Sequence, residues 1–470
     1  MSKTTPIYVS PQEAERQRQT AQAFSSLPDR PRTYHIVTYG CQMNAHDSEK
    51  LAGILQGMGL EESPRREEAD FVLFNTCCIR DNAERRALGN VTWLKEIKKQ
   101  RPSMLIGVCG CMVQQSHMAE KILKQYKFID LAFGTHNMHE LPSLLYRRVE
   151  KNSQVVSILD QENLIAEDVP LRRASGYHAY VTIMYGCDNF CSYCVVPYVR
   201  GRERSRRMGD ILREVEGLRE SGVQEIMLLG QNVNSYQGGG PGESFPALLK
   251  ALDGLGVPRI RFMTSHPKDL SDELVQVMAQ GRHICSHLHL PVQSGNDEVL
   301  RAMNRGYTRD AYLDRVRRLR EAMPEIGLTT DFIVGFPGET EAQFEDSVSL
   351  IREVGYDAAF SFIFSPRQGT RAASMPGQVG KEAASRRLER LQEVLAESTA
   401  KVHREMIGKR EQVLVESISK RNQGQVSGKG TRNITVTLDG TQEDIGRVAP
   451  VTITSAAANT LRGERIKGEP

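Results

Sequence analysis

The stretch Cys187-Asp-Asn-Phe-Cys191-Ser-Tyr-Cys194 sets the interpretation of the rest of the chain. It follows an apolar run, residues 179–185, that is predicted to be the first strand of a domain. Three thiolates at this C-x3-C-x2-C spacing can share one metal centre, but they leave it one ligand short. Structural zinc sites normally have four protein ligands, so the incomplete set favours a metal centre with an open, reactive position.

A second set of cysteines occurs singly, each just past a predicted strand in three successive strand–helix units: Cys41, Cys77 and Cys111. Because the carboxyl ends of parallel strands share one edge of a sheet, we expect these thiols to meet there and form a second incomplete metal site. The other three cysteines are expected to be packed apolar residues: Cys78, Cys109 and Cys285. Cys78 adjoins Cys77, and neighbouring side chains diverge, so only one of this pair should face the site.

The alternation of apolar runs and amphipathic stretches predicts an α/β fold of three domains. Residues 33–150 are expected to form an open, mostly parallel α/β domain, and residues 176–406 a partial (β/α)6 barrel of parallel strands. Short β-type runs separated by Gly- and Asn-containing turns predict a small antiparallel β-barrel at residues 407–470. Residues 1–32 are predicted to be a flexible extension, and residues 151–175 a linker.

The composition is that of an ordinary globular protein. The chain has 470 residues and a mass of 52.7 kDa; 39% of its residues are hydrophobic and 25% charged, which excludes a wholly disordered or fibrous protein. Its formal net charge of +3 neither requires nor excludes a nucleic-acid partner. The sequence has neither a recognisable export signal nor a stretch suited to span a bilayer, so we expect a cytoplasmic protein without membrane association, whose reduced cysteines serve metal or redox chemistry.

The cysteine stretch at residues 187–194 resembles the motif of radical SAM enzymes, in which three cysteines hold a 4Fe–4S cluster. Three shorter runs resemble the amino-terminal domain of the methylthiotransferases: Thr38-Tyr-Gly-Cys-Gln-Met-Asn44, Asn75-Thr-Cys77 and Gly110-Cys-Met112. Other runs are similar to the MiaB-type branch of that family: residues 187–206, Leu229-Gly-Gln-Asn-Val-Asn-Ser235, His289-Leu-Pro-Val-Gln-Ser-Gly295 and Thr330-Asp-Phe-Ile-Val-Gly-Phe-Pro-Gly338. The resemblance extends from Tyr34 to about Glu464, and the tail is similar to an RNA-binding TRAM domain.

The resemblance implies two 4Fe–4S clusters and S-adenosylmethionine as cofactors. Cys187, Cys191 and Cys194 would hold the cluster that binds S-adenosylmethionine, and the other set, Cys41, Cys77 and Cys111, an auxiliary cluster that carries sulfur. An electron from a low-potential donor would cleave the cofactor to a 5′-deoxyadenosyl radical, which abstracts the hydrogen on carbon 2 of an adenine. A sulfur that a second S-adenosylmethionine has methylated would then be transferred to that carbon. No side chain is assigned as catalytic, because the clusters carry the chemistry.

The implied substrate is N6-isopentenyl-adenosine next to the anticodon, so the implied partner is a tRNA anticodon stem-loop; a monomer is expected. Five residues are expected to contribute to cofactor binding: Tyr193, Gln231, Asn234, Asp331 and Gly335. Eight basic residues are candidates for contacts with RNA phosphates: Arg200, Arg202, Arg204, Arg206, Lys429, Arg432, Arg462 and Arg465. For the run of four arginines, a solvated loop or internal ion pairs with Glu203 are the alternatives.

Two other functions remain open from the sequence. The same chemistry could modify threonylcarbamoyl-adenosine in tRNA or an aspartate of a ribosomal protein, but the Tyr-Gly-Cys-Gln-Met-Asn and Arg-Gly-Arg-Glu-Arg runs favour the isopentenyl-adenosine branch. A different class of protein, a non-catalytic zinc- and RNA-binding protein, would use both cysteine sets as structural metal sites.

Overall fold

The computed structural model describes residues 5–78, 81–159, 163–419, 422 and 424–466, and gives no side-chain description for residues 81–83. The chain divides into two compact units. The first comprises residues 1–174, 184–188 and 194–206, and the second comprises residues 175–183, 189–193 and 207–470. Within the described residues, none of the helices has both the length and the apolar composition needed to cross a membrane.

The first part of the chain alternates strands and helices. Its strands are β1 (Ile7–Tyr8), β2 (Thr33–Thr38), β3 (Glu61–Glu62), β4 (Phe71–Thr76), β5 (Leu105–Gly110), β6 (Leu131–Phe133), β7 (Val155–Ser157) and β8 (Leu164–Ile165). Its helices are α1 (Pro11–Ser25), α2 (Gln42–Gly57), α3 (Asp81–Gln100), α4 (Ser116–Gln125) and α5 (Leu141–Lys151). Six of the described strands form one parallel sheet in the order β3-β2-β4-β5-β6-β7, which confirms the predicted sheet.

Helices cover both faces of this sheet, because successive side chains of a strand point to opposite faces. Phe71 and Leu73 of β4 belong to a core cluster with residues of α2 and α5, whereas Val72 and Phe74 belong to a second cluster with residues of α3 and α4. All six residues of β4 are buried. The sheet is therefore the middle layer of a three-layer domain.

The predicted extension and linker are partly regular structure, which corrects that prediction. Ser10 accepts a hydrogen bond from the Glu13 N–H (3.1 Å) at the start of α1, and Phe24 of this helix is fully buried in the core. β7 adds a strand to the parallel sheet, and β8 pairs with β1. The polar composition of α1 reflects its exposed face, and strands of two or three residues are too short to show a periodic pattern.

The strands of the barrel region are β9 (His178–Thr182), β10 (Met184–Tyr185), β11 (Arg204–Ser205), β12 (Glu225–Leu229), β13 (Arg259–Phe262), β14 (His287–His289), β15 (Gly327–Val334) and β16 (Ala358–Ile363). The helices are α6 (Val196–Arg200), α7 (Met208–Glu220), α8 (Phe245–Leu255), α9 (Asp272–Gln280), α10 (Asp297–Ala302), α11 (Arg309–Ala322), α12 (Glu341–Val354) and α13 (Lys381–Arg404). In the second unit, parallel sheets β9-β12-β13 and β14-β15-β16 are linked by a parallel bridge between Ile260 and Ile284. This arrangement confirms the predicted partial barrel.

The tail forms a closed barrel of β17 (Arg410–Ile418), β18 (Gln425–Lys429), β19 (Thr435–Asp439), β20 (Val448–Ala456) and β21 (Thr460–Arg465). Its strand order is β17-β18-β19-β21-β20. The pairs are antiparallel, as predicted, except that β19 and β21 run parallel. β21 pairs antiparallel with β20 on one side. On its other side it closes the barrel by pairing with β19, which runs in the same direction as β21.

A buried charge network joins this tail barrel to β12 and β13. The Glu225 carboxylate accepts hydrogen bonds from Nε of Arg259 (2.9 Å) and Nε of Arg261 (2.8 Å). The two guanidinium groups also donate to backbone carbonyl oxygens of the tail: Gln412, Lys429, Gly430 and Thr431. Burial raises the pKa of Glu225, but the charges of Arg261 and Arg259 outweigh it and hold that pKa below its ordinary value.

The Glu225→Gln substitution is expected to lower the free energy of unfolding by about 3 kcal/mol, because it leaves two buried cations without their carboxylate. The stabilisation should be present at neutral pH and disappear as the pH falls through the lowered pKa of Glu225. Urea unfolding at pH 7 measures the change. The matched control Glu321→Gln breaks an exposed pair with Arg317 and should cost less than about 1 kcal/mol. Equal effects of the two substitutions would contradict the prediction.

Candidate metal centres

The loops after β2, β4 and β5 meet at one edge of the amino-terminal sheet. The Asn44 side chain donates a hydrogen bond to the carbonyl oxygen of Thr76 (3.0 Å), and the Asn75 side chain donates to the carbonyl oxygen of Asn44 (2.8 Å). The Cys111 N–H bonds to the carbonyl oxygen of Thr76 (3.0 Å). These bonds hold together the three loops that contain the predicted cysteines, as expected from the shared direction of the strands.

Two of these loops approach so closely that a glycine is required. Gly40 has a φ of +122°, and a Cβ atom at this position would lie 2.7 Å from Cβ of Cys77. Cys77 therefore lies directly against the residue that precedes Cys41. Cys77 and Cys111 are buried, whereas Cys41, immediately before α2, is exposed. The set of three thiols thus opens to the surface on the side of Cys41.

The side chain of the neighbouring Cys78 faces Cys111, so it too lies at this site, contrary to the prediction that only one of the Cys77–Cys78 pair would face it. It hydrogen-bonds to the Cys111 sulfur and packs with it in the apolar core. This hydrogen bond raises the pKa of Cys78 and lowers the pKa of Cys111, and the charge of Arg200 lowers the pKa of Cys111 further. The remaining cysteines, Cys109 and Cys285, are buried, as predicted for packed residues.

A buried arginine reaches the same site. Arg200, the last residue of α6, is 4% exposed; its Nε donates to Sγ of Cys111 (3.2 Å), and its Nη2 donates to Asp47 (2.7 Å) and to Asn44 (3.0 Å). The prediction that Arg200 contacts RNA phosphates is therefore wrong. A contact with a carboxylate 153 residues earlier in the chain is not visible from local sequence.

Apolar residues of the same segment explain how Arg200 reaches Cys111. Val195 and Val199 are buried in the core cluster on the α3 and α4 face of the amino-terminal sheet. Residues 184–188 and 194–206 consequently pack with the first unit, although the sequence placed them in the barrel domain. Two segments of the predicted domain 176–406 therefore belong to the first unit, whereas the second unit begins at Ser175, next to the predicted boundary.

The other arginines of this run are also engaged within the protein. Arg206 forms an ion pair with Glu167 (2.7 Å), and Arg204 donates to the carbonyl oxygen of Arg200 (2.8 Å). Both side chains are buried, so the prediction that they grip RNA phosphates is wrong for them. Arg202 is half-buried and pairs with Asp188 (2.8 Å). The alternative of internal ion pairs is the better description, and Asp47, Glu167 and Asp188 are among the partners.

The first cysteine of the C-x3-C-x2-C stretch is fixed by a close backbone contact. Gly186 has a φ of +73°, and a Cβ atom there would lie 2.1 Å from the carbonyl oxygen of Arg202. The next residue, Cys187, donates its N–H to the carbonyl oxygen of Gly201 (3.1 Å). Only glycine permits this approach, which fixes the backbone where the cysteine stretch begins.

The second cysteine of the stretch also has an arginine beside its sulfur. Nη1 of Arg305 donates to Sγ of Cys191 (3.5 Å), and the same guanidinium donates to the carbonyl oxygen of Pro291 (2.6 Å) and to the Tyr307 hydroxyl (3.0 Å). Arg305 is buried, and among the described residues no carboxylate lies within ion-pair distance of it. A buried cation in this position favours an anionic centre at Cys191.

The amino-terminal cysteine set offers three thiols: Cys41, Cys77 and Cys111. A structural zinc site normally has four protein ligands. A 4Fe–4S cluster that keeps one iron open to another ligand needs only these three thiols, so the set fits such a cluster.

Buried polar atoms without partners line the carboxyl ends of β12 and β13. Oε1 of Gln231 and both polar side-chain atoms of Asn234 have no hydrogen-bond partner among the described residues. Three further residues with such atoms were not predicted from the sequence: Asn232, Ser265 and His266. Leaving buried polar atoms unpaired is costly, so the group indicates a site for a polar ligand at the edge where barrel sites lie. Their position just after a strand was the available signal.

The other predicted cofactor residues have packing roles as well. Tyr193 is half-buried against an apolar cluster that includes Met303 and Phe336. Gly335 has a φ of +71° and donates its N–H to the Glu339 carboxylate (2.7 Å), and a Cβ atom there would meet Ala384 of α13 at 2.9 Å. Asp331 lies beside His289, with 3.5 Å between Oδ2 and Nε2.

The basic residues of the tail differ in exposure. Arg432 is half-buried and forms an ion pair with the buried Asp357, which is unfavourable to the predicted phosphate contact. The amino group of Lys429 donates to the Thr435 hydroxyl (2.9 Å) and is largely enclosed, which lowers its pKa. The two remaining arginines are more exposed and pair with surface carboxylates: Arg462 with Asp439 (2.6 Å) and Arg465 with Asp444 (2.7 Å).

Comparison with known proteins agrees with this geometry. The Radical SAM superfamily matches residues 181–351, the Uncharacterized protein family UPF0004 matches residues 33–134, and the TRAM domain matches residues 404–466. The tRNA-2-methylthio-N(6)-dimethylallyladenosine synthase of Caldicellulosiruptor saccharolyticus is 48% identical over 93% of this chain and 93% of its own length. The protein of that name from Acetivibrio thermocellus is 45% identical over 98% of both chains.

A solved structure with a similar fold is the radical S-adenosylmethionine methyltransferase TsrM of Kitasatospora setae, with cobalamin and a 4Fe–4S cluster bound. Its TM-score is 0.53 at 16% identity, over 73% of this chain and 77% of that chain, which shows a shared fold. The near-full-length relatives show more: this chain belongs to the radical SAM methylthiotransferase family, in the group of the tRNA-2-methylthio-N(6)-dimethylallyladenosine synthases.

Proposed function

We propose that this protein is a tRNA methylthiotransferase that adds a methylthio group to carbon 2 of N6-isopentenyl-adenosine next to the anticodon. The observation that carries the proposal is the meeting of the Cys41, Cys77 and Cys111 loops at one sheet edge, in a chain that also has the C-x3-C-x2-C stretch. One incomplete thiol set is sufficient for radical generation. A second set is what a sulfur-inserting enzyme needs in addition.

Each set of cysteines would hold one 4Fe–4S cluster. Cys187, Cys191 and Cys194 would hold the cluster that also binds S-adenosylmethionine, and the amino-terminal set would hold the auxiliary cluster. When bound, these groups supply an electron to cleave S-adenosylmethionine and a sulfur for transfer. The chain supplies three thiols to each centre and keeps the fourth position open to a ligand.

The side chains around the centres bind and orient. Arg305 places a positive charge at Cys191, and Cys78 donates a hydrogen bond to Cys111. The unpaired polar atoms after β12 and β13, from Gln231 to His266, are suited to hydrogen-bond the polar groups of S-adenosylmethionine or of the target adenine. Tyr193, Asp331 and Gly335 remain candidates for the cofactor site.

The RNA partner we propose is the anticodon stem-loop. Carbon 2 of a paired or stacked adenine is inaccessible, so the base must leave the loop stack to reach the barrel. The proposed contacts with the RNA backbone are Arg465, which is exposed on the tail barrel, and Arg462, which is half-buried and pairs with the exposed Asp439. We further propose a monomeric cytoplasmic enzyme that receives electrons from a low-potential donor.

Substitutions in the two cysteine sets should affect cleavage of S-adenosylmethionine and methylthio transfer differently. After anaerobic reconstitution with iron and sulfide, Cys41→Ala should still release 5′-deoxyadenosine from S-adenosylmethionine but form at least about 100-fold less methylthio product, because it lacks an auxiliary-cluster ligand. Cys191→Ala should lose both activities. Cys285→Ala, which removes a buried cysteine outside both sets, is the matched control and should retain both. Mass spectrometry of a modified stem-loop measures the products, and full methylthiolation by Cys41→Ala would refute the assignment.

The preferred RNA substrate distinguishes the proposed reaction from methylthiolation of threonylcarbamoyl-adenosine. Anticodon stem-loops carrying isopentenyl-adenosine, threonylcarbamoyl-adenosine or unmodified adenosine should be offered at equal concentration. We expect methylthio product from the isopentenyl-adenosine loop and at least about 10-fold less from the other two, because a lost apolar contact alone costs about 1–3 kcal/mol. Preferential modification of the threonylcarbamoyl-adenosine loop would assign the protein to the other branch.

Tail arginines should control the salt dependence of RNA binding. The double substitution Arg462→Gln/Arg465→Gln should weaken binding of the stem-loop and reduce the slope of log K against log salt by about 2, since each phosphate contact contributes about 1. The control Arg317→Gln/Arg318→Gln removes the same charge from exposed, carboxylate-paired arginines of α11. If both doubles change the slope equally, the tail arginines have no specific role in binding.

A further inference from the structure

Arg200 and Asp47 form a buried ion pair at the auxiliary site. The proposed reaction gives this pair no role. The two side chains are 4% and 1% exposed, and their atoms approach to 2.7 Å. One oxygen of Asp47 accepts the hydrogen bond from Arg200, and the other is buried with no partner among the described residues. Burying two charges is expensive, so their position at a thiol calls for a function.

The geometry directs the positive end of the pair to the sulfur. Nε of Arg200 donates to Sγ of Cys111 at 3.2 Å, while Nη2 of the same guanidinium is held by Asp47 and Asn44. The planar guanidinium is thus fixed at two edges, and its donor to sulfur cannot rotate away. Asn44 in turn is bonded to the Thr76 carbonyl, within the loop that leads to Cys77.

Hydrogen bonds to cysteine sulfur and nearby net charge are two of the factors that set the reduction potential of an iron–sulfur cluster. A positive charge and an N–H donor at Cys111 favour the reduced, more negative state. The carboxylate of Asp47, which accepts a hydrogen bond from the Arg200 guanidinium, has the opposite effect on the reduction potential. In the described part of the chain, Arg305 at the other cysteine stretch forms no ion pair with a carboxylate, so the two sites differ in their charge balance.

We infer that Arg200 and Asp47 are positioning residues that jointly set the reduction potential of the auxiliary cluster, with opposite signs. Arg200 raises the potential through its charge and its N–H···S hydrogen bond. Asp47 lowers it and holds the guanidinium in place. The inference rests on the proposed function only in that a cluster binds to Cys41, Cys77 and Cys111.

The test measures potentials in the full-length chain with Cys187, Cys191 and Cys194 replaced by Ala, so that a single cluster gives the signal. After anaerobic reconstitution, the reduction midpoint is followed by electron paramagnetic resonance. Relative to this parent, Arg200→Gln should shift the midpoint to more negative values and Asp47→Asn to more positive values. The double substitution should return the midpoint towards the parent value, because the net charge is restored.

Two controls separate this effect from a loss of structure. Arg148→Gln breaks another arginine–aspartate pair of the same domain, between the half-buried Arg148 and the buried Asp130 (2.7 Å), and should leave the midpoint unchanged. Iron and sulfide content, measured for each variant, reports whether the cluster is present. If Arg200→Gln loses its iron, Arg200→Lys, which keeps the charge, and Asp47→Asn provide the comparison.

The outcomes distinguish the inference from the proposed function. A negative shift for Arg200→Gln and a positive shift for Asp47→Asn, both with full iron content, support the inference, and the reversed signs overturn it. Shifts of the same sign, or no shift from either Arg200→Gln or Asp47→Asn with iron retained, overturn it and leave the proposed function intact. Absence of iron and sulfide from the reconstituted parent would instead overturn the proposed function.

Discussion

The convergence of parallel strands is the constraint on which the auxiliary site depends. Cysteines in three separate loops can meet only if their strands end at one edge, and β2, β4 and β5 are neighbours in the sheet with a common direction. Asn44 and Asn75 then bond the loops together, and Gly40 lets them touch. Desolvation by the surrounding protein raises the pKa of the Cys41 thiol, and the nearby charge of Arg200 opposes that increase. The sheet thus supplies the geometry of the site, and the segment that contains Arg200 supplies part of its electrostatics.

Buried positive charge accompanies the thiols at both cysteine sets. Arg200 bonds to Cys111, and Arg305 bonds to Cys191, at positions where a guanidinium without an anion would be strongly unfavourable. The packing that buries Arg200 comes from Val195 and Val199 on the same short helix, so a hydrophobic contact fixes the position of a charge. Two valines and one arginine therefore connect the segment after the cysteine stretch to the auxiliary site.

The parts of this protein that follow from local pattern were predictable. The parallel sheet, the partial barrel and the meeting of the Cys41, Cys77 and Cys111 loops follow from periodicity and from the rule for strand ends. Long-range pairing was not predictable: the sequence gives no sign that Asp47 lies beside Arg200, or that β7 and β8 are strands. Ser265 and His266 were missed because polar residues after a strand are common, and only their lack of partners in the fold distinguishes them.

The four arginines after the cysteine stretch show why a basic run is weak support for a nucleic-acid surface. Arg200, Arg204 and Arg206 are buried and face carboxylates, backbone carbonyls or sulfur, so their charge is used inside the protein. A phosphate could reach them only by displacing those partners, which would leave buried carboxylates such as Asp47 uncompensated. Exposed arginines whose partners are surface carboxylates can exchange them for phosphates at little cost, because surface pairs contribute about 0–1 kcal/mol. Arg465 of the tail barrel is exposed and meets that condition; Arg462 is half-buried but pairs with the exposed Asp439, and the buried run does not meet it.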